Sequence, residues 1–330
     1  MEEVSNMQNT RKLRLLDANI LYSIAGILFF TIGAYFQKLN FNLGLITTQY
    51  FLILLPPIIY LIVRKIDLKK TLRLNKISIK HSILIVFITL LMYPIAISAN
   101  TLLMLLMSLI GNLNIPQLPT ATNTNEYMIL IFIISISAGI CEEVFFRGFI
   151  LPGYENLGKK KAIIFSSILF GIFHFNLYNL LGPIVLGLVF SYLVILTDSI
   201  FAGIIGHITN NGFAVTLGFI INKMSVPISE SQEVLETVEM STTMALFINL
   251  IFFIIVSIIT MSIASRLIKI IKKDMDNKNG MVDFNLTQSI LKYKNLDEKI
   301  NFSDFIPLIL VLLLFLWTSI TQIKEIIYLG

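Results

Sequence analysis

The chain has 330 residues, of which 56% are hydrophobic and 14% are charged, and its net charge is +5. The apolar residues fall in blocks of about 20, which is typical of a polytopic α-helical membrane protein and excludes a soluble one. The basic residues lie between these blocks, so the positive-inside rule explains them and nucleic acid is not an expected partner. The one cysteine, Cys141, excludes an intramolecular disulfide and a thiolate-rich zinc site.

We predict an all-α fold, a bundle of about nine transmembrane helices, with eight as the alternative count. The predicted spans cover approximately residues 18–36, 49–63, 83–110, 127–150, 162–177, 181–196, 200–221, 244–268 and 305–323. The loops alternate between basic and basic-poor, which places the N-terminus in the cytosol. The protein is therefore predicted to be a multi-pass protein of the cell membrane, surrounded by the lipid bilayer.

Two basic segments, 64–80 and 266–304, are predicted to be cytosolic. The first alternates leucine or isoleucine with lysine or arginine, which predicts an amphipathic helix at the membrane interface. The loop 111–126 has no Lys or Arg and is expected outside the cell, and the loop 222–242 carries four glutamates against one lysine.

The fourth predicted span contains three charged residues, Glu142, Glu143 and Arg147. A charge near the centre of a bilayer costs ~3 kcal/mol or more, so these side chains are expected to pair or to face a wet cavity. Glu143 and Arg147 are four residues apart and share a helix face, which predicts an ion pair. Glu142 lies about 100° around the helix from Glu143, so we expect it to be free for chemistry.

Two of the three histidines also lie within predicted spans. His174 is in the fifth span and His207 in the seventh, where Asn211 follows four residues later on the same face. At ~1.5 Å per residue, Glu142, His174 and His207 lie roughly 12, 18 and 10 Å from the cytosolic ends of their spans. These similar depths predict one wet cavity shared by the three spans.

Two hydrolytic chemistries suit such a set of side chains. In one, Glu142, His174 and His207 bind Zn²⁺, which activates a water molecule. In the other, no metal takes part: Glu142 is the general base for a water, and His207 and Asn211 hold the oxyanion. Carboxylates and histidines also line proton and cation pathways, so a transporter is a further alternative.

Three motifs occur in order along this part of the chain: Glu-Glu-x-x-x-Arg at 142–147, Phe-x-x-x-His at 170–174 and His-x-x-x-Asn at 207–211. Together they resemble the CPBP family of intramembrane proteases, also called Abi, which includes the CAAX prenyl endopeptidases and bacterial relatives. The resemblance covers about residues 127–221, and it implies a site open to the cytosol.

The resemblance also implies a role for each motif residue. Glu142 would activate water with the help of His174, while His207 and Asn211 would stabilise the oxyanion, and the supporting positions are Glu143, Arg147 and Phe170. The family is commonly described as metalloproteases, but a metal-free glutamate mechanism is argued for it as well. The implied substrate is a membrane-associated peptide, either prenylated or bacteriocin-like.

The resemblance divides the chain into an N-terminal part (1–126), a protease-like core (127–221) and a C-terminal part (222–330). A composition rich in Ile, Lys and Asn is typical of an AT-rich bacterial genome. A non-catalytic immunity or scaffold protein that retains the motifs is the alternative reading from a different functional class.

Overall fold

The computed structural model describes residues 12–115, 119–225, 241–282 and 300–328, and this part of the chain is helical with no β-strand. The prediction of an all-α bundle is therefore confirmed. The long helices are α1 (Leu15–Leu39), α2 (Phe41–Val63), α3 (Ile79–Ser108), α4 (Thr124–Leu157), α5 (Lys159–Ile172), α6 (Leu181–Thr197), α7 (Ile200–Ser225), α8 (Thr242–Val282) and α9 (Leu308–Tyr328).

Eight helices in the described ranges are long and apolar enough to cross a membrane, which is the architecture of a multi-pass membrane protein. The exception is α5, which has 14 residues and lies where we predicted a span over 162–177. This helix ends at Ile172 because the next residues form a turn, with Phe175 in the left-handed region at φ 47°. His174 therefore lies in the turn after α5 and not inside a span.

Two predicted connections differ from the structure. The segment between the first two spans is helical, because α1 ends at Leu39 and α2 begins at Phe41, with only Asn40 between them. The basic segment 64–80 does not form the predicted amphipathic helix. Its helical part is the short stretch Leu68–Thr71, since Lys65 and Arg73 have φ values of 54° and 48° that interrupt a longer helix.

Parts of the predicted loops lie outside the described residues: 1–11, 116–118, 226–240 and 283–299. Within the described ranges, α8 continues through Val282, so the first part of the predicted basic loop 266–304 is helical. The cytosolic placement of the basic segments and of the N-terminus stays a prediction.

Helix α4 lies at the centre of the packing, in contact with α7 and with the middle of α2. Its aromatic residues Phe145, Phe146 and Phe149 are almost completely buried, and Phe146 packs against Tyr22 of α1 and Phe173 after α5. This apolar cluster fixes the position of the helix turn that precedes it, which carries the two glutamates.

Helix α4 contains two stretches with the wider π-helical turn, Ile131–Ser137 and Phe146–Ile150. Such turns are frequent at functional sites. The α-helical stretch between them, Ala138–Phe145, holds the two adjacent glutamates. At its start, a Cβ on Gly139 would lie 2.5 Å from Ile208 Cγ1, so a glycine is needed for α4 and α7 to approach this closely.

Candidate active site

The predicted ion pair between Glu143 and Arg147 is present. Arg147 Nη1 donates to Glu143 Oε1 at 2.7 Å, and both side chains are completely buried. The guanidinium also lies over the ring of Phe170, 4.5 Å from its centroid, and its Nη2 donates to the Gly187 carbonyl at 3.3 Å. The ring of Phe170, from the second motif, thus packs against the buried charge of Arg147, from the first motif.

His207 is held by the same carboxylate. Its Nδ1 lies 2.9 Å from Glu143 Oε1, and its ring stacks on Phe190 with the edge of Phe170 beside it. Glu143 Oε1 accepts from Arg147 Nη1 and is the acceptor facing His207 as well, so the Nδ1 of His207 carries the proton. In the neutral ring Nε2 is therefore an acceptor, and it donates only when the imidazole is protonated.

The helical spacing predicts a free Glu142, but in the structure a residue of another helix holds this side chain. Gln49 of α2 donates its Nε2–H to Glu142 Oε1 at 2.8 Å, and the second oxygen, Oε2, lies 3.9 Å from His207 Nε2. The Glu142 side chain remains 16% exposed, whereas Glu143 is fully enclosed. The two adjacent carboxylates thus have different surroundings: Glu143 is part of the packed interior and Glu142 lines a cavity.

His174 is oriented by its own backbone. Its Nδ1 donates to the carbonyl of Phe170, 2.9 Å away, because a carbonyl oxygen can only accept. Its Nε2 is consequently the nitrogen left for chemistry, as in His207. Both histidines therefore present the same ring nitrogen, although they come from different elements.

Asn211 connects α7 to the first π-helical stretch of α4. Its Nδ2 donates to the Ile134 carbonyl at 2.8 Å, and its Oδ1 accepts from Asn210 Nδ2 at 3.0 Å. One N–H of the Asn211 amide is used in this way, and the other is available to a ligand. The amide is thus fixed in orientation, as an oxyanion donor needs to be.

A cavity of ≈ 340 Å³ brings the predicted residues together. Glu142, His174, His207, Asn211 and Phe170 all line it, and its remaining walls come from α3, α6 and α7, from Ile134 of α4 and from Asn179 just before α6. Arg147 and Glu143 lie behind this surface. The structure thus unites in one place side chains that are up to 69 positions apart in the sequence.

A catalytic zinc ion requires three protein ligands. Zinc sites use one carboxylate and two imidazoles as ligands. In such sites one ring nitrogen of each imidazole is hydrogen-bonded, as Nδ1 is here, and the other, Nε2, can bind the metal. Among the described residues, however, no three His, Cys, Asp or Glu side chains are grouped closely enough to hold a metal ion. The arrangement as it stands does not form a three-ligand site, so the mechanism proposed below contains no step through a metal.

Sequence reasoning missed Gln49 and Gly203. Gln49 lies in α2 and carries no charge, so only its position in an apolar span could have drawn attention to it. Gly203 of α7 faces the ion pair so closely that a Cβ there would overlap Glu143 Oε2. The signal for this glycine was its place one helical turn before His207.

Replacing Gly203 by Ala is expected to destabilise the fold by about 1–3 kcal/mol, since the added methyl group forces the buried carboxylate to move. Gly218→Ala in the same helix is the matched control, because its Cβ would meet Thr120 Cγ2 at 3.6 Å, an ordinary contact. Thermal unfolding in detergent measures both variants. Equal melting temperatures for the two would contradict the close packing of α7 against Glu143.

These features define a membrane-embedded helical bundle with a carboxylate, two imidazoles and an amide around one cavity. Residues 124–213 match the model of the family "Type II CAAX prenyl endopeptidase Rce1-like". This stretch of the chain is therefore similar to the Rce1-like family, and the predicted resemblance to CAAX prenyl endopeptidases is confirmed for it. All the predicted site residues lie inside the matched stretch, whereas Gln49 lies outside it.

One curated relative is similar over part of its length. The chain is 34% identical over 90 residues to a protein of Bacillus subtilis (strain 168) described as "Putative membrane peptidase YdiL". The matched region is 27% of this chain and 37% of that relative, so the similarity spans well under half of either protein. No solved structure matches the chain.

Proposed function

We propose that this protein is an intramembrane peptidase that hydrolyses a peptide bond of a membrane-anchored peptide. The observation that carries the proposal is the meeting of Glu142, His174, His207 and Asn211 in one cavity, within the stretch that matches the CAAX endopeptidase family. Membrane-spanning helices enclose this cavity, which favours a substrate that is itself attached to the bilayer. Prenylated peptides and hydrophobic, bacteriocin-like peptides are the two classes proposed.

In the proposed reaction Glu142 is the general base. It takes a proton from water, the water oxygen bonds to the carbonyl carbon, and the C–N bond then breaks as the same proton passes to the leaving nitrogen. His174 presents Nε2 to the cavity and assists this proton transfer. The atoms balance as one water consumed for one peptide bond cleaved.

The developing oxyanion requires donors, and the proposed ones are on α7. Asn211 has a free amide N–H and lines the cavity. His207 donates from Nε2 only as an imidazolium, because Glu143 accepts its Nδ1–H. In this mechanism His207 therefore acts in its protonated form.

The proposal is tested with purified protein in lipid vesicles and a panel of membrane-anchored peptides, with cleavage followed by mass spectrometry. His174→Ala and His207→Ala are expected to abolish cleavage. Asn211→Ala is expected to slow it about 100-fold or more, the usual loss for one oxyanion donor. Asn222→Ala is the matched control, because this amide on the same helix donates to the Ala121 carbonyl at 3.0 Å, outside the cavity.

The same preparation separates the alternatives. Cleavage lost on chelation and restored by Zn²⁺ would assign the metal-dependent form, with Glu142, His174 and His207 as ligands. Intact peptides together with ion flux that depends on Glu142 would replace the peptidase by a transporter. Intact peptides without flux would favour the immunity or scaffold protein.

A further inference from the structure

Glu142 lies between two cavities. The larger one, of ≈ 340 Å³, is the candidate active-site cavity, and a smaller one of ≈ 140 Å³ lies between α2 and α4. Ile134, Glu142 and Asn211 line both, so the carboxylate and the amide form part of the wall between them. The other motif residues that line a cavity, Phe170, His174 and His207, line only the larger one.

Gln49 belongs to the smaller cavity. Its side chain is 92% buried, since only 8% of the residue is exposed, and it donates to Glu142 Oε1 at 2.8 Å. Its own oxygen, Oε1, is buried and has no hydrogen-bond partner among the residues that the structure describes. The neighbouring lining residues Leu45, Ile133 and Ala138 are apolar, so they offer that oxygen no side-chain donor.

A buried acceptor without a donor costs about 1–3 kcal/mol, so this oxygen requires a donor from a ligand. The ligand has to be small, because ≈ 140 Å³ has room for a few water molecules of roughly 30 Å³ each and not for a peptide. It also has to donate to two acceptors, Gln49 Oε1 and the Glu142 carboxylate. Water has that size and two O–H donors.

We propose that the smaller cavity holds the water molecule that Glu142 activates, and that Gln49 is a positioning residue for both. The amide N–H of Gln49 fixes the carboxylate, and its oxygen accepts one hydrogen of the water while Glu142 accepts the other. With both hydrogens donated, a lone pair of the water oxygen is directed away from Gln49. Water and peptide thus reach Glu142 from opposite sides, and neither has to displace the other. This inference rests on the proposed peptidase function.

Two alanines give a matched pair for the two cavities. Ala138 lines only the smaller cavity and Ala214 only the larger one. Ala138→Val adds two methyl groups to the water side and is expected to lower kcat about 10-fold or more with KM unchanged. Ala214→Val narrows the peptide side and is expected to raise KM with less effect on kcat. A rise in KM for Ala138→Val with kcat unchanged would place peptide in the smaller cavity and overturn the inference.

Gln49→Met tests the positioning residue itself, because Met has a similar length and neither donates nor accepts strongly. We expect kcat to fall about 10- to 100-fold with KM unchanged. Tyr50→Phe is the control: it removes the adjacent hydrogen bond between α2 and α4, which joins Tyr50 Oη and Ser137 Oγ at 3.1 Å, and is expected to keep kcat. Equal losses in the two variants would assign Gln49 a structural role only.

An infrared measurement tests the contact without turnover. The carboxylate band of Glu142, identified by its loss in Glu142→Gln, is expected to shift in Gln49→Met and to stay in place in Tyr50→Phe. If wild-type protein cleaves peptides but Gln49→Met has the wild-type kcat and band position, the inference fails and the peptidase proposal stands. If no peptide is cleaved, the peptidase proposal fails, and an unshifted band would refute the Gln49 contact independently.

Discussion

Glu142→Gln is expected to abolish peptide cleavage, with a loss of at least the ~10²–10⁴-fold that a general base contributes. Gln has nearly the shape of Glu, and one Glu142 oxygen is already hydrogen-bonded to a neutral amide, so the packing tolerates the change. The variant is therefore expected to fold as the wild type does. Initial rates on a membrane-anchored peptide and the melting temperature in detergent measure the two effects.

Glu126→Gln is the control for this variant. Glu126 lies in the first turn of the same helix, and its carboxylate accepts from Thr122 in an exposed position. This substitution is expected to leave the rate unchanged. Wild-type turnover in Glu142→Gln would show that Glu142 is not the general base. Misfolding of Glu142→Gln would show that Glu142 stabilises the fold instead.

Glu143→Gln is expected to lower chiefly the stability of the fold, whereas Glu142→Gln lowers chiefly the rate of cleavage. It leaves the guanidinium of Arg147 as an unpaired charge in a fully buried place, and breaking a buried pair costs about 3–5 kcal/mol. The expected result is a large fall in folded yield and melting temperature. These are measured by size-exclusion chromatography and thermal unfolding of protein from equal amounts of membrane.

The double variant Glu143→Leu/Arg147→Met separates the two tasks of Glu143. Replacing both charges by apolar side chains is often neutral for stability, so folded yield is expected to return towards the wild type. Cleavage is expected to stay low, because His207 loses the acceptor of its Nδ1–H and with it the fixed position of its ring. Wild-type cleavage by a well-folded double variant would show that Glu143 has no part in orienting His207.

Local spacing predicted the parts of the site that a single helix determines. The four-position spacing from Glu143 to Arg147 is enough to predict their pair, and polar residues inside apolar spans indicate a common cavity. The order of the three motifs predicted the similarity of residues 124–213 to CAAX prenyl endopeptidases. These inferences need only the helical period and the cost of placing a charge in lipid.

The contacts between helices could not be read from spacing. The bond from His207 to Glu143 depends on how closely α7 approaches α4, which the glycines at 139 and 203 permit. The bond from Gln49 to Glu142 depends on a wide helical turn in α2 that no sequence period indicates. The early end of α5 was missed as well, since the apolar residues Phe173, Phe175 and Leu177 follow it where the backbone already turns.

The length of α5 has a consequence for the membrane. Fourteen residues span about 21 Å, whereas the hydrocarbon layer of a bilayer is roughly 30 Å thick. The backbone of the turn after α5 lacks the regular helical hydrogen bonds, and the protein supplies other partners for it. The N–H of Leu177, for example, donates to Gln322 Oε1 at 2.9 Å. Around an apolar helix that is shorter than this layer, thinning of the bilayer is one way for lipids to adapt. His174 is therefore positioned by a hydrogen-bonded turn beyond the short helix and not by the period of a helix that crosses the whole layer.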